Sequence, residues 1–214
     1  MTEQVFQFGG TLDKYIGDEI MAIFGSPITL DNHAERAVEC ALAMQDKMRE
    51  LSKLWKSENK SELTASIGIA TGVSLVGTIG CDKYMDYTAI GDIVNTASRI
   101  TQAAAHDTIF LEASTVKLIE PVAVLKEPVG LQLKGKQKIV YASVLERLKT
   151  DKELQNDLNK YDDQSRIDII RCLGLFRYYA GNTLVRKYLN DPILMVRKEA
   201  LRTISRLDLS LIHI

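Results

Sequence analysis

Two short stretches of this sequence hold polar side chains of the kinds that handle a nucleotide. The first, GTLDKYIGDEIMAIFG, contains Lys14 and Asp18; the second, YTAIGDIVNTASRI, contains Thr88, Asn95 and Arg99. Asp18 follows Gly17, which permits a tight turn that projects the carboxylate. Magnesium is commonly held by one or two carboxylates together with phosphate oxygens, so Asp18 is a candidate metal ligand. Lys14 lies four residues earlier, and even spacing along a strand keeps one face. Asn95 and Arg99 are four apart on a helix rich in small residues and therefore share a face. A guanidinium there offers phosphate oxygens a planar fork of donors. Asn95 can fix a sugar, and the Thr88 hydroxyl can both donate and accept. A third stretch, LQLKGKQKIVYASV, sets Lys134 and Lys136 on either side of Gly135. Two cations on a sharp turn suit a polyphosphate. Taken singly, each has an ordinary reading: a solvated lysine and a turn aspartate, a surface arginine and a capping asparagine, a solubilised hairpin.

These side chains need a frame. Val5, Phe6 and Phe8 lead into Gly9-Gly10, so residues 1–8 read as the tail of a larger element. Phe8 to Phe24 reads as two short strands with Gly17-Asp18 at the tip. Asp31 and Asn32 are candidate caps for a long helix whose apolar stripe runs Ala34, Val38, Ala41, Leu42, Met48 and Leu51. Leu63 to Gly72 and Val73 to Ile79 read as paired strands turning at Gly72. Tyr84 to Ile90 is a further strand, and Asp92 to Ala105 a small-residue helix. Thr108 to Leu111 is strand-like, Ser114 to Ile119 a short helix, and Val122 to Val144 holds two or three strands. Helices alternating with strands that neighbour in hairpins give an α+β class rather than a doubly wound parallel sheet.

Composition sets the outer bounds. The 214 residues suffice for one domain and an appendage. A formal net charge of -1 gives no electrostatic reason for nucleic acid or an anionic membrane as partner. No apolar run approaches the roughly 18 residues of a membrane span. The opening MTEQVFQF lacks the basic region and apolar core of a signal peptide. Cys40, Cys81 and Cys172 form neither a CxxC pair nor a disulfide framework, which fits a reducing cytoplasm. P-loop, GxSxG, HExxH and zinc-spacing signatures are absent.

Composition changes after Thr150. Residues 151–163 are polar and charged, a connecting stretch or an exposed helix. Beyond them an internal repeat runs at a shift of 31 residues, from Arg166 to Arg197. Ile169 maps to Ala200, Ile170 to Leu201, Arg171 to Arg202, Leu173 to Ile204 and Phe176 to Leu207. Such a period suggests stacked helical pairs. Leu184, Val185, Tyr188 and Leu189 supply an intervening helix, which Asp191-Pro192 stops. LVRKYLNDPILMVRKEALRTISRL resembles a HEAT-like repeat. Two units are fewer than a solenoid needs, so the array is expected to be cut short, and LSLIHI ends mid-pattern without a cap.

In this order and spacing, the three polar stretches closely resemble the catalytic domain of class III adenylate and guanylate cyclases. The resemblance covers residues 5–147 and extends to the FGSP turn, DNHAERAVECALAMQ, IGIATGVSLVGTIG and YMDYTAIGD. It implies a nucleotide cyclase-type mixed sheet, related to ferredoxin-like folds, with flanking helices. It makes Asp18 the second of two metal-binding aspartates. Lys14 takes the base-selecting position, where lysine implies adenine, and Thr88 the other adenine-reading position. Asn95 corresponds to the ribose-orienting asparagine and Arg99 to the arginine that stabilises the transition state. Lys134 matches the phosphate lysine best, with Lys136 as the alternative. The implied reaction converts ATP to 3′,5′-cyclic AMP and pyrophosphate. Two magnesium or manganese ions assist, at sites formed by a head-to-tail homodimer. Asp18 would come from one protomer and Lys14, Thr88, Asn95 and Arg99 from the other. The family's domain opens with a strand bearing the first metal aspartate, followed by two helices. No aspartate precedes Asp13 here, and Asp13 lies in the wrong element to replace it. The expected organisation is therefore a cyclase domain over 1–147 lacking that opening, a linker over 148–163, and truncated HEAT-like repeats over 164–214 that offer a protein partner a surface. A non-catalytic nucleotide-binding scaffold and a guanylate cyclase are the alternatives.

Overall fold

The computed structural model describes residues 1–160, 162–173, 185 and 188–211. The chain divides into two compact units. One comprises Met1–Lys117 with Leu125–Glu146, the other Leu118–Val124 with Arg147–Ile214.

In the first unit, residues 2–7 form a short helix. This α1 (Thr2–Gln7) buries Val5 and precedes a hairpin of β1 (Thr11–Ile16) and β2 (Glu19–Ile23). Gly17 opens the turn at a φ of 64°, in the left-handed region. Helix α2 (His33–Ser57) follows. Asn32 holds its N-terminal cap position, but no side-chain cap bond forms; its backbone carbonyl accepts from Arg36 N at 3.0 Å. Ala34, Val38 and Ala41 are buried as the stripe requires. Val5, Phe8 and Cys40 form a small core with Ala22, Phe24 and Met44, which joins the helices to the hairpin. Burial pushes the Cys40 thiol up to about 12, so it stays protonated and unreactive near neutrality.

The expected hairpin between Leu63–Gly72 and Val73–Ile79 does not form. Only β3 (Ile67–Ile69) is a strand in the first segment, and it pairs parallel with β6 (Ile109–Glu112). The second segment contributes β4 (Leu75–Cys81), which pairs antiparallel with β5 (Tyr84–Ile90). Alternation identified the strands correctly, but the nearer turn was not the one that closes. Helix α3 (Asp92–Ala103) packs on β3. Gly68 makes this possible: a Cβ there would lie 2.4 Å from Thr101 Oγ1 and 2.7 Å from the Ala97 carbonyl oxygen. Then come α4 (Ala113–Ile119), β7 (Ala123–Leu125), β8 (Val129–Leu131) and β9 (Val140–Leu148). Strand β9 runs antiparallel to both β6 and β8, which makes the sheet mixed. Ile100 of α3 packs with Phe110, Leu133 and Ala142 as the core beneath it. The α+β expectation holds.

The second unit is helical. Helix α5 (Asp151–Lys160) buries Leu154 and Leu158, so the polar stretch after Thr150 has an apolar face. A capping box starts it: Thr150 N donates to Glu153 Oε2 at 2.8 Å, and Glu153 N donates to Thr150 Oγ1 at 3.4 Å. Arg147 adds a fork to the same carboxylate at 2.8 and 2.7 Å. Helices α6 (Asp163–Leu173) and α7 (Leu194–Leu211) pack together, and Thr203 Oγ1 donates to the Ile170 carbonyl at 3.1 Å. Their starts differ by the shift seen in the sequence. Ile169 and Ala200 are both buried, as are Leu173 and Ile204. Leu201 is exposed where its counterpart Ile170 is buried, so the repeat is imperfect. Tyr188–Asn190 is a single 3-10 turn ahead of Asp191. Leu184, Phe176 and the closing 212–214 lie outside the described residues.

The Glu153 cluster has a pH signature. Arg147 first, then Thr150, hold its carboxyl well below the usual carboxylate range. A depressed folded value stabilises above the unfolded pKa of about 4.3, and that stabilisation is lost as pH falls toward the folded one. We expect Glu153→Gln to lower the thermal midpoint at pH 7 and to converge with the wild type as melts are taken to pH 3 and below.

Candidate active site

The site begins with an irregularity in β1. Leu12 pairs with Ala22 and Lys14 with Met21, so the register shifts and Asp13 is the extra residue of a β-bulge. In a regular strand, Asp13 and Lys14 would point to opposite faces. A bulge re-aims side chains. Here both reach β5, across a junction made by side chains. Thr88 Oγ1 donates to Asp13 Oδ2 at 2.8 Å, and Ala89 N approaches the same oxygen at 3.4 Å. Lys14 Nζ donates to Asp86 Oδ2 at 3.0 Å and lies 3.4 Å from Asp13 Oδ1. Asp86 and Thr88 are two apart on β5, hence on one face. Hydrogen bonds to charged groups contribute about 1.5–3 kcal/mol each when well shielded; the half-exposed Lys14–Asp86 pair contributes less.

Lys14 and Thr88 are thus brought together, each through a carboxylate. The hydrogen bond to Asp86 raises the Lys14 pKa above its ordinary value; burial opposes it, and the charge of Asp13 adds to the rise. Lys14 remains a cation throughout the physiological range.

A second cluster forms around α3. Ile100 and Thr96 face the core, and Thr96 Oγ1 donates back to the Asp92 carbonyl at 2.8 Å. Asn95 is exposed and Arg99 half-buried at the rim. The Lys134–Lys136 turn lies against this helix. Gly135 has a φ of 75°, and a Cβ there would stand 3.5 Å from an Arg99 guanidinium nitrogen. Lys136 Nζ pairs with Asp92, which pins the turn to the first turn of α3. Lys136 is therefore engaged, while Lys134 is exposed beside the turn that meets Arg99.

Asp18 stands apart on the exposed tip of the β1–β2 turn. The expectation that it shares a strand face with Lys14 does not apply, because Asp18 lies beyond the end of β1. Among the described residues, no group of three or more His, Cys, Asp or Glu side chains is poised to hold a metal. One exposed carboxylate on an open turn fits magnesium chemistry in which substrate oxygens supply the other ligands.

Sequence reading missed Asp13 and Asp86. Asp13 was weighed only as a substitute metal ligand. The signals were available: Asp13 adjoins Lys14, and Asp86 sits at same-face spacing from Thr88. The bulge was not visible.

The first unit thus combines a mixed sheet, two hairpins joined by the Lys14–Thr88 cluster, and a helix carrying Arg99 clasped by a lysine turn. The profile of the adenylate and guanylate cyclase catalytic domain matches residues 5–145, and the chain belongs to that family. It is 34% identical over 99 residues to adenylate cyclase 1 of Rhizobium meliloti, covering 46% of this chain and 15% of that protein. It is 38% identical over 104 residues to an adenylate cyclase of Anabaena cylindrica, covering 47% of this chain and 20% of that protein. The matches thus span a fifth or less of these relatives. The crystal structure of the adenylyl cyclase CyaB from P. aeruginosa superposes with a TM-score of 0.65 at 32% identity, covering 68% of this chain and 76% of that one. The guanylyl cyclase Cya2 gives the same TM-score at 29% identity, covering 69% and 75%.

Removing Asp86 should release Lys14. We expect Asp86→Ala to bring the Lys14 titration down toward the ordinary lysine value of about 10.4. Side-chain NMR of Lys14 through the alkaline range reads this directly; an unmoved titration would show that Asp86 is not the cause.

Proposed function

We propose that this chain carries the catalytic region of an adenylate cyclase, which forms 3′,5′-cyclic AMP and pyrophosphate from ATP. Support for the reaction class comes from family membership. Support for adenine comes from one observation: Lys14 and Thr88 are gathered into a single cluster by Asp86 and Asp13. A site that hydrogen-bonds a base discriminates against the wrong one, because polar groups are then left unpaired.

Lys14 and Thr88 hold the base, and Asn95 orients the ribose. The ribose 3′-oxygen attacks the α-phosphorus in line, and pyrophosphate leaves. Arg99 and Lys134 take up the negative charge that grows on the phosphate oxygens. Lys134 is preferred over Lys136 for this role because Lys136 is already paired with Asp92. Asp18 would hold a divalent ion, magnesium or manganese, whose charge would offset that of the triphosphate; two ions are the family's expectation.

Two faces suit a head-to-tail homodimer. Val73, Leu75, Tyr84, Met85 and Ile90 are exposed on and beside the β4–β5 hairpin, as are Tyr15 and Ile16 on β1. Apolar exposure on this scale marks an interaction surface. Helices α6 and α7, offset by one repeat length, support a HEAT-like reading of residues 164–214, with a protein partner as its use. Among the described residues no helix is long and apolar enough to cross a membrane.

A second reading, nucleotide binding without turnover, is favoured by the single metal carboxylate among the candidate residues. The natural full-length protein, supplied with ATP or GTP and manganese, separates the two. We expect cyclic AMP in excess of cyclic GMP. Binding with no cyclic product would establish the second reading. Arg99→Ala should cut product formation about 100-fold, the scale of losing one donor to developing charge. Lys14→Glu should narrow the preference for ATP over GTP, read as the ratio of kcat/KM values.

A further inference from the structure

A hydroxyl is an ambiguous reader of purines. It can accept from the 6-amino group of adenine, or donate to the 6-oxygen of guanine. Thr88 alone therefore makes no choice between them. The structure gives its one proton a destination. Thr88 Oγ1 donates to Asp13 Oδ2 at 2.8 Å, and the Asp13 side chain is 0% exposed. An ionised carboxylate only accepts. Ala89 N points a second donor at the same oxygen, at 3.4 Å. The other oxygen, Oδ1, completes no hydrogen bond and faces Lys14 Nζ at 3.4 Å, so the carboxylate's charge is balanced by the cation of the same cluster. The bulge at residue 13 brings this group onto the β5 face.

We propose that Asp13 is a specificity-determining positioning residue: by holding the Thr88 proton, it leaves the hydroxyl oxygen a pure acceptor that takes the adenine 6-amino group and repels a 6-oxo group. The proposal rests on the adenylate reading above and deepens it. Asp13 does not touch the nucleotide; it acts through Thr88. Acid–base chemistry and metal binding are not asked of it.

The test is a binding measurement, so it does not depend on turnover. ATP and GTP are titrated against a fluorescent N-methylanthraniloyl-ATP on the full chain, and the ratio of their dissociation constants is read. The wild type should favour ATP. Asp13→Ala frees the Thr88 hydroxyl to rotate and donate, so the preference should shrink about tenfold, chiefly through tighter GTP binding. Asp13→Asn should keep most of the preference. Thr88 and Ala89 both donate to one oxygen position, which selects the amide oxygen there. In a Thr88→Val background, Asp13→Ala should leave the ratio unchanged, because the two residues act as a unit.

An adenine-preferring wild type whose Asp13→Ala form keeps the ratio overturns the proposal alone. So does a Thr88→Val background in which Asp13→Ala still shifts it. A wild type with no adenine preference overturns the adenylate reading, and the proposal with it. A further arm needs no variant. Purine riboside triphosphate carries only hydrogen at position 6, while its 6-methoxy analogue carries an oxygen that can only accept. The wild type should bind the first more tightly, and the reverse order means Thr88 donates and the proposal fails.

Discussion

Two antiparallel hairpins meet in the first unit without sharing a backbone ladder. What ties β1 to β5 is a pair of ionic and hydrogen-bonded rungs, Asp13 to Thr88 and Lys14 to Asp86. Adjacent residues of one strand can form both rungs only because the strand bulges between Leu12 and Lys14. The Lys14–Thr88 cluster depends on this junction. Were β1 regular, Asp13 would face away, and Lys14 would meet β5 alone. A backbone defect thus decides which side chains of β1 meet β5.

The cluster around α3 is built on a different principle. There a helix is held close to a strand by the absence of a side chain at Gly68, and a lysine turn is clasped to the helix by Lys136 and Asp92. Gly135 lies against the Arg99 guanidinium, where the absence of a side chain leaves it room. One cluster is set by hydrogen bonds and the other by steric fit, which suits the tasks proposed for them. A base is recognised by the direction of donors, whereas phosphate charge is met by cations held in place.

Much of this was legible in the sequence, for identifiable reasons. Alternation and turn residues located β2, β5 and α3 to within a residue or two, because each is bounded by glycine or a capping position, whereas β1 starts at Thr11, three residues after Phe8. The type and order of Lys14, Asp18, Thr88, Asn95 and Arg99 pointed to a nucleotide. Pairing was less legible. Leu63–Gly72 was given to Val73–Ile79 because they adjoin, whereas β3 finds its partner some forty residues on, in β6. Local pattern carries no information about a parallel partner so distant. The roles of Asp13 and Asp86 were hidden for a related reason: a bulge breaks the two-residue periodicity on which face assignments rest. The polar stretch over 151–163 left a connecting stretch and an exposed helix both open, because the apolar face of the helix that forms there consists of only two leucines, Leu154 and Leu158.

Gly68 has a consequence for how variants of this protein would be read. Every single-base change of a glycine codon that alters the amino acid adds atoms at Cβ or ends the chain. Here those atoms would collide with Thr101 and the α3 backbone. The helix would be displaced, and Asn95 and Arg99 with it, although residue 68 is remote in sequence from both. A genetic lesion at this codon would mimic a change at Asn95 or Arg99 themselves. Sorting alleles by whether the altered residue contacts nucleotide would place it in the wrong class.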